Sequence, residues 1–307
     1  MEIIRDLAAL KPHPWPVVAL GNFDGVHMGH QAILGAAIEL ARGHGGAAFA
    51  LTFDPSPAKV LAPARAPRLI MTAEDKLELL RVSGLDAVLV IEFTRAFSMV
   101  RPREFARDYL IERIGARAVV VGHSVSFGHD RAGNAGVMRA LGAEMGFDAR
   151  VVGPVKVAGM EVSSSRIREV IAAGDLRTAA KLLGRPHFIR GPVVHGRERG
   201  RKMGFPTANI QSRTECLPPD GVYATRLLLD DGAYPSITNI GMRPTFAEPE
   251  RTIEAHVFDF DRDLYGADVR LDLIERIRPE RKFESAAALA AQIAADLKRA
   301  REILAPG

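Results

Sequence analysis

The apolar residues of this chain change their rhythm near Gly184-Arg185-Pro186, and that change limits the possible folds more than any single motif does. Before it, apolar runs at 17–20, 47–53, 87–91, 118–121 and 149–152 are separated by stretches of helical spacing. Such βα alternation predicts a parallel sheet covered by helices. After it, runs at 188–194, 222–229, 234–239, 253–258 and 269–277 follow one another with Gly-, Pro- and Asp-rich turns between them. That spacing predicts an antiparallel barrel or sandwich. An Ala/Leu-rich amphipathic helix is expected over 286–304. Two domains follow, 1–184 and 185–307, and 307 residues with 47% hydrophobic content suffice for two cores.

No apolar run approaches the roughly 20 residues that span a bilayer. The first sixteen residues lack the apolar core of a signal peptide, so a cytoplasmic protein with no membrane partner is expected. Cys216 is the single cysteine, which excludes an internal disulfide. The net charge of +4 suits anionic ligands. Its basic residues are spread along the chain without interleaved aromatics, so no nucleic-acid partner is expected. Oligomeric state is not specified.

The stretch Gly21-Asn-Phe-Asp-Gly-Val-His-Met-Gly-His30 lies between the apolar run 17–20 and a predicted helix over 31–41. Backbone N–H groups at a helix N-terminus attract phosphates, and Gly25 and Gly29 let the backbone come close. His27 and His30 are placed to donate to a phosphoryl group. The same spacing also suits a solvated helix cap or a zinc pair, although no Cys or HExxH accompanies it. Thr72-Ala-Glu-Asp75 has the form of an N-terminal cap for the next helix. Further on, Ser163, Ser164 and Ser165 followed by Arg168 suit either an anion or an ordinary N-cap.

In the second half, Gly196, Gly200 and Gly204 punctuate a basic loop containing Arg201, which runs into Gly-Phe-Pro206-Thr207-Ala-Asn209. Thr207 and Asn209 offer neutral oxygens to Mg²⁺ beside phosphates. A solvated surface turn is the plainer reading of the loop. Glu254, between Ile253 and Ala255, is in the same way either a solvent-facing strand residue or a positioned carboxylate.

The string GNFDGVHMGH resembles the HxGH signature of the nucleotidylyltransferase superfamily. Together with GFPTAN, Pro219-Asp-Gly-Val-Tyr223, Asn239-Ile-Gly-Met-Arg-Pro-Thr245, Asp263-Leu-Tyr-Gly266 and 278–283, it resembles the prokaryotic bifunctional riboflavin kinase/FAD synthetase family. The resemblance implies a Rossmann-like nucleotidylyltransferase domain, then a six-stranded antiparallel barrel of riboflavin kinase type with a C-terminal helix. It implies phosphorylation of riboflavin to FMN by ATP, then adenylylation of FMN to FAD with release of pyrophosphate. Glu254, His27, His30 and Arg168 are the implied catalytic residues. Gly21, Phe23, Gly25, Gly29, Ser163, Ser164, Ser165, Gly196, Gly200, Arg201, Gly204 and Pro206 would bind ATP phosphates. Ser124, Phe127, Asn239 and Arg243 would contact flavin, and Thr207 and Asn209 would hold Mg²⁺. No tightly bound organic cofactor beyond the flavin substrates is expected. Two positions depart from the family pattern: Ser56 stands where His is usual, and Ser124 where Asp or Asn is usual. They leave open a kinase whose first domain only binds or regulates.

Overall fold

The computed structural model describes residues 1–195, 205–243 and 250–305. The first part is a six-stranded sheet in the order β1-β4-β3-β2-β5-β6, all parallel. Its strands are β1 (Glu2–Ile4), β2 (Val17–Leu20), β3 (Ala48–Asp54), β4 (Ala87–Glu92), β5 (Ala118–Gly122) and β6 (Asp148–Val152). All four β2 residues are buried, because both faces of the sheet are covered. Val18, Leu20, Phe49, Leu51 and Val119 fill one face. Val17, Ala19, Ala48, Ala50 and Val120 fill the other. The strand order reverses between β2 and β5, so their carboxyl ends, Gly21 and Gly122, flank the crevice where such sheets take ligands.

Helices α1 (Met28–Gly43), α2 (Pro57–Leu61), α3 (Ala73–Arg81), α4 (Pro102–Glu104) and α5 (Ala135–Met145) connect these strands. α1 starts three residues before the predicted 31, because His27 caps it. Between β4 and β5 the chain forms the short α4 followed by a π-helix, Phe105–Arg113, which buries Phe105, Ala106 and Leu110. β1 has no counterpart among the predicted strands, since three residues carry too little pattern. A small hairpin, β7 (Lys156–Val157) and β8 (Met160–Glu161), precedes α6 (Ser164–Ala172) and α7 (Leu176–Leu183).

The last part is a closed barrel in the order β10-β13-β12-β11-β14-β9, which excludes the sandwich. It comprises β9 (His187–Val194), β10 (Ala208–Ile210), β11 (Gly221–Leu229), β12 (Gly232–Arg243), β13 (Glu250–Val257) and β14 (Asp268–Pro279). Alternation sends Ile189, Ile210, Tyr223, Ile240, Ile253 and Ala255 inward, and Leu176 of α7 joins this core. The outer side chains Val222, Ala224 and Ile237 are covered by Ala300 and Leu304 of α8 (Ala286–Leu304). The chain divides into two compact units, Met1–Ser164 and Ser165–Gly307.

Candidate active sites

In the first unit the loop from Gly21 to His27 is pinned at almost every residue. The Gly21 N–H donates to Leu51 O at 3.1 Å and Thr52 Oγ1 donates to Asn22 O at 3.1 Å. The Ile70 N–H donates to Asp24 Oδ1 at 2.9 Å, and Ser164 Oγ donates to Asp24 O at 3.0 Å. Gln31 Nε2 donates to Val26 O at 2.9 Å. These ties hold Phe23 and Val26 in the left-handed region, at φ 53° and 38°. A β-branched residue there is strained by about 1–3 kcal/mol, a cost that clusters at functional sites. Gly25, at φ 90°, supplies the remaining reversal without strain.

The loop delivers both histidines to one place. His27 caps α1, its Nδ1 accepting the His30 N–H at 3.2 Å, so the helix-cap reading of this residue also holds. An accepting Nδ1 leaves the ring proton on Nε2, which makes that nitrogen the donor. The His27 and His30 rings stack at 3.6 Å between centroids, and the Phe23 ring meets His30 edge-on at 5.3 Å. A Cβ at Gly29 would lie 3.2 Å from the His27 ring, a tight contact to which the stacked ring would have to yield. Burial pushes His30 well below the usual imidazole pKa, and His27 and Lys76 push the same way. His30 is therefore neutral at physiological pH, with a buried Nδ1 that no described residue satisfies. Such an atom is open to a ligand. Among the described residues no group of three or more His, Cys, Asp or Glu is placed to hold a metal, so the zinc reading has no support.

Ser163 precedes α6, Ser164 opens it, and Ser165 and Arg168 follow along that helix in the second unit. Ser124 is exposed just after β5. Phe127 is buried in the core, its ring centroid 5.9 Å from that of Phe105. Ser56 stands before α2 and makes no side-chain cap.

In the barrel the strand register does the assembling. Asn209 of β10 and Asn239 of β12 are both direct partners of Glu254 on β13. Opposed residues in antiparallel strands point to the same face, with Cβ atoms about 5 Å apart. Glu254 is therefore flanked by two carboxamides on the outer face, opposite to the buried Ile253 and Ala255. A cleft of about 420 Å³ is lined by Pro206, Thr207, Asn209, Arg262, Asp263 and Tyr265, among others. His256 Nδ1 lies 2.8 Å from Pro206 O and ties the start of β10 to β13. Gly196, Gly200, Arg201 and Gly204 lie outside the described residues, as does the side chain of Arg243.

Known proteins resemble both parts of the chain. The FAD synthetase family model matches residues 11–166, and the riboflavin kinase model matches residues 183–304. The bifunctional riboflavin kinase/FMN adenylyltransferase of Escherichia coli K12 is 37% identical over 98% of this chain and 97% of its own length. The chain belongs to the bifunctional riboflavin kinase/FMN adenylyltransferase family. The Bacillus subtilis enzyme of that name is 37% identical over 92% of this chain and 91% of its own. A crystal structure described as a macrolide-efflux protein from Streptococcus pneumoniae superposes at TM-score 0.89 and 32% identity, covering 97% of this chain and 98% of its own. Efflux is that protein's description; here, among the described residues, no helix is long and apolar enough to cross a membrane. With both catalytic domains present, the chain is a riboflavin kinase and an FMN adenylyltransferase, and the kinase-only reading loses its ground.

Sequence reasoning misses Thr52 and Lys76, which anchor the histidine loop. Lys76 Nζ lies 3.1 Å from Thr52 Oγ1 and 3.0 Å from Phe53 O. The signal is present in the letters: a lysine four residues before Leu80, inside the apolar stripe of α3.

Proposed function

We propose that the two activities are divided between the two sites, with the domain boundary near residue 185. In the barrel, the Glu254 carboxylate takes the proton of the riboflavin 5′-hydroxyl as that oxygen attacks the γ-phosphorus of ATP. The bond from γ-phosphorus to the bridging oxygen breaks and ADP leaves with FMN formed. Thr207 and Asn209 present the hard, neutral oxygens that Mg²⁺ accepts, and Mg²⁺ would neutralise charge on the ATP phosphates. Gly196, Gly200, Arg201, Gly204 and Pro206 are assigned to those phosphates, and Asn239 and Arg243 to the flavin, on the resemblance.

At the histidine loop, an FMN phosphate oxygen attacks the α-phosphorus of a second ATP and pyrophosphate leaves, without a covalent enzyme intermediate. His27 donates from Nε2 and neutral His30 from its own ring N–H to the charge that develops at phosphorus. Ser163, Ser164, Ser165 and Arg168 are assigned to the triphosphate on the resemblance, and Gly21, Phe23, Gly25 and Gly29 to shaping the loop beside it. Ser124 and Phe127 are assigned to the flavin side. The observation that carries the histidine assignment is the strained, fully pinned backbone that stacks the two rings. A cytoplasmic location fits substrates made and used inside the cell.

Incubation with riboflavin, ATP and Mg²⁺ followed by chromatography tests the whole scheme, with FAD as the expected product. Accumulation of FMN alone would remove the second assignment, and unchanged riboflavin would remove both.

A further inference from the structure

Lys76 reaches its place in three steps. Thr72 Oγ1 accepts the Asp75 N–H at 3.1 Å and fixes the start of α3. The first turn of that helix then directs Lys76 beneath the carboxyl end of β3, where it is only 9% exposed. There Nζ meets three oxygens: Phe53 O at 3.0 Å, Thr52 Oγ1 at 3.1 Å and Asn22 O at 3.4 Å. Three acceptors match the three N–H donors of an ammonium group. All three oxygens are neutral, and the carboxylates that favour the ammonium, Asp54 and Asp24, make none of these three bonds.

A buried charge is costly, and an apolar side chain on α3 would fill the same space at lower cost. The groups tied together are telling. Asn22 immediately precedes the strained Phe23, and Phe53 is the penultimate residue of β3. One ammonium thus links Asn22 of the histidine loop to the end of β3.

We propose that Lys76 is a positioning residue for adenylyl transfer: its ammonium clamps the Asn22 and Phe53 carbonyls and fixes the loop that stacks His27 on His30. This rests on the assignment of adenylylation to the histidine loop. The charged and titratable groups that bear on the clamp are His27 and Lys76 around His30, and Asp54, Asp24 and Arg5 around Lys76. Arg5 is itself paired with Asp54 at 3.2 Å, so removal of Lys76 takes a positive charge from the neighbourhood of His30. The His30 imidazole should then accept a proton at higher pH.

The test uses the full-length protein and measures FAD formation from supplied FMN and Mg-ATP across about pH 5 to 8, where an imidazole titrates. Lys76→Met should lower kcat about tenfold or more while KM for FMN stays within about threefold, because the clamp acts on geometry at the reacting centre. The acid limb of kcat/KM should move to higher pH; the FMN phosphate titrates in the same range but is common to all variants. Lys76→Arg should return the limb to its wild-type position, and riboflavin phosphorylation should be unchanged in every variant. An unmoved acid limb in Lys76→Met, or parallel loss of phosphorylation in a folded protein, overturns the proposal. If Lys76→Met does not fold, Lys76→Gln decides, since it keeps donors and loses the charge; an unmoved limb there is equally fatal. His30→Ala separates the two levels. Wild-type FAD formation in that variant removes the site assignment itself, whereas loss there with a normal Lys76→Met removes only the clamp.

Discussion

The histidine loop and the glutamate strand achieve the same end, a set of polar groups brought together on one side of the backbone, by opposite means. In the barrel, regular antiparallel pairing puts Asn209, Glu254 and Asn239 side by side on one face, and no residue among them leaves ordinary strand geometry. In the first unit the chain leaves a strand, passes through φ 53°, 90° and 38° at Phe23, Gly25 and Val26, and re-enters a helix directly after His27. Orientation by register needs only the ladder hydrogen bonds that the sheet makes anyway. Orientation by a strained loop needs added clamps, which here are Thr52, Lys76, Ser164, Gln31 and the Ile70 N–H. Damage to the strand site should therefore come from changing its chemistry. The loop site should be vulnerable both to changed chemistry and to lost support.

The strongest test of this contrast is Glu254→Gln. The two side chains have nearly the same shape, so the barrel should keep its stability while riboflavin phosphorylation falls by about 10²–10⁴, the usual weight of a general base. FAD synthesis from supplied FMN should persist in that variant. Equal loss of both activities in a chromatographic assay would break the division between the two regions. His30→Ala is the mirror experiment and should cost adenylylation about 10²–10³, the scale of a lost transition-state donor. Here riboflavin phosphorylation is the activity that should survive.

Much of this molecule is legible in its letters, and the parts that are not share a cause. β2 has the bounds its sequence predicts, because four consecutive apolar residues between turn signals suit a strand buried on both faces. The 286–304 helix is equally plain, with Ser285 capping it through the Ala288 N–H. β10 escapes prediction as an element because three residues, Ala208–Ile210, show no period. The pairing of Glu254 with both Asn209 and Asn239 is a matter of register between distant segments, and no local pattern encodes it. The motif strings mark His27 and His30 as chemistry or as a helix cap, but they do not reveal that the cap falls to His27 while its ring stacks on His30. Lys76 stays hidden because a lone lysine within an apolar stripe looks like noise until the helix is docked.

Each unit also holds a histidine that burial keeps neutral, His30 in the first and His187 in the second, which lets acid probe the two regions. His187 lies 2.8 Å from Cys216 O through Nε2 and is pushed down to about 4 by burial, against 6.5 for an exposed imidazole. Between those two values the unfolded chain binds the extra proton and the folded chain does not. Stability is therefore complete above about 6.5 and falls as the pH drops towards 4, by about 3 kcal/mol in all for this group. His30 contributes in the same direction. Urea unfolding monitored at several pH values should show this loss, and His187→Gln should flatten it. An unchanged slope in that variant would place the acid sensitivity elsewhere.

The smallest expected effect concerns loop strain, and it sharpens the contrast most finely. Val26 pays for its left-handed backbone with steric strain that glycine does not feel. Relief of that strain is worth about 1 kcal/mol, whereas glycine in an unstrained position would destabilise by releasing the unfolded chain. Val26 is also 4% exposed, and its lost side-chain packing, about 1.5–3 kcal/mol, outweighs the relief. Val26→Gly should therefore lower stability by about 1–2 kcal/mol while loosening the path from Phe23 to His27. FAD synthesis should drop roughly tenfold, since a misplacement of about 1 Å is enough to slow a positioned reaction by that order or more. Its counterpart in the barrel is Thr252→Gly, on the same strand as Glu254, where phosphorylation should scarcely respond because the register is held by the neighbouring ladders on both sides. If the barrel variant lost as much activity as the loop variant, register would be no more robust a way of placing side chains than a clamped turn.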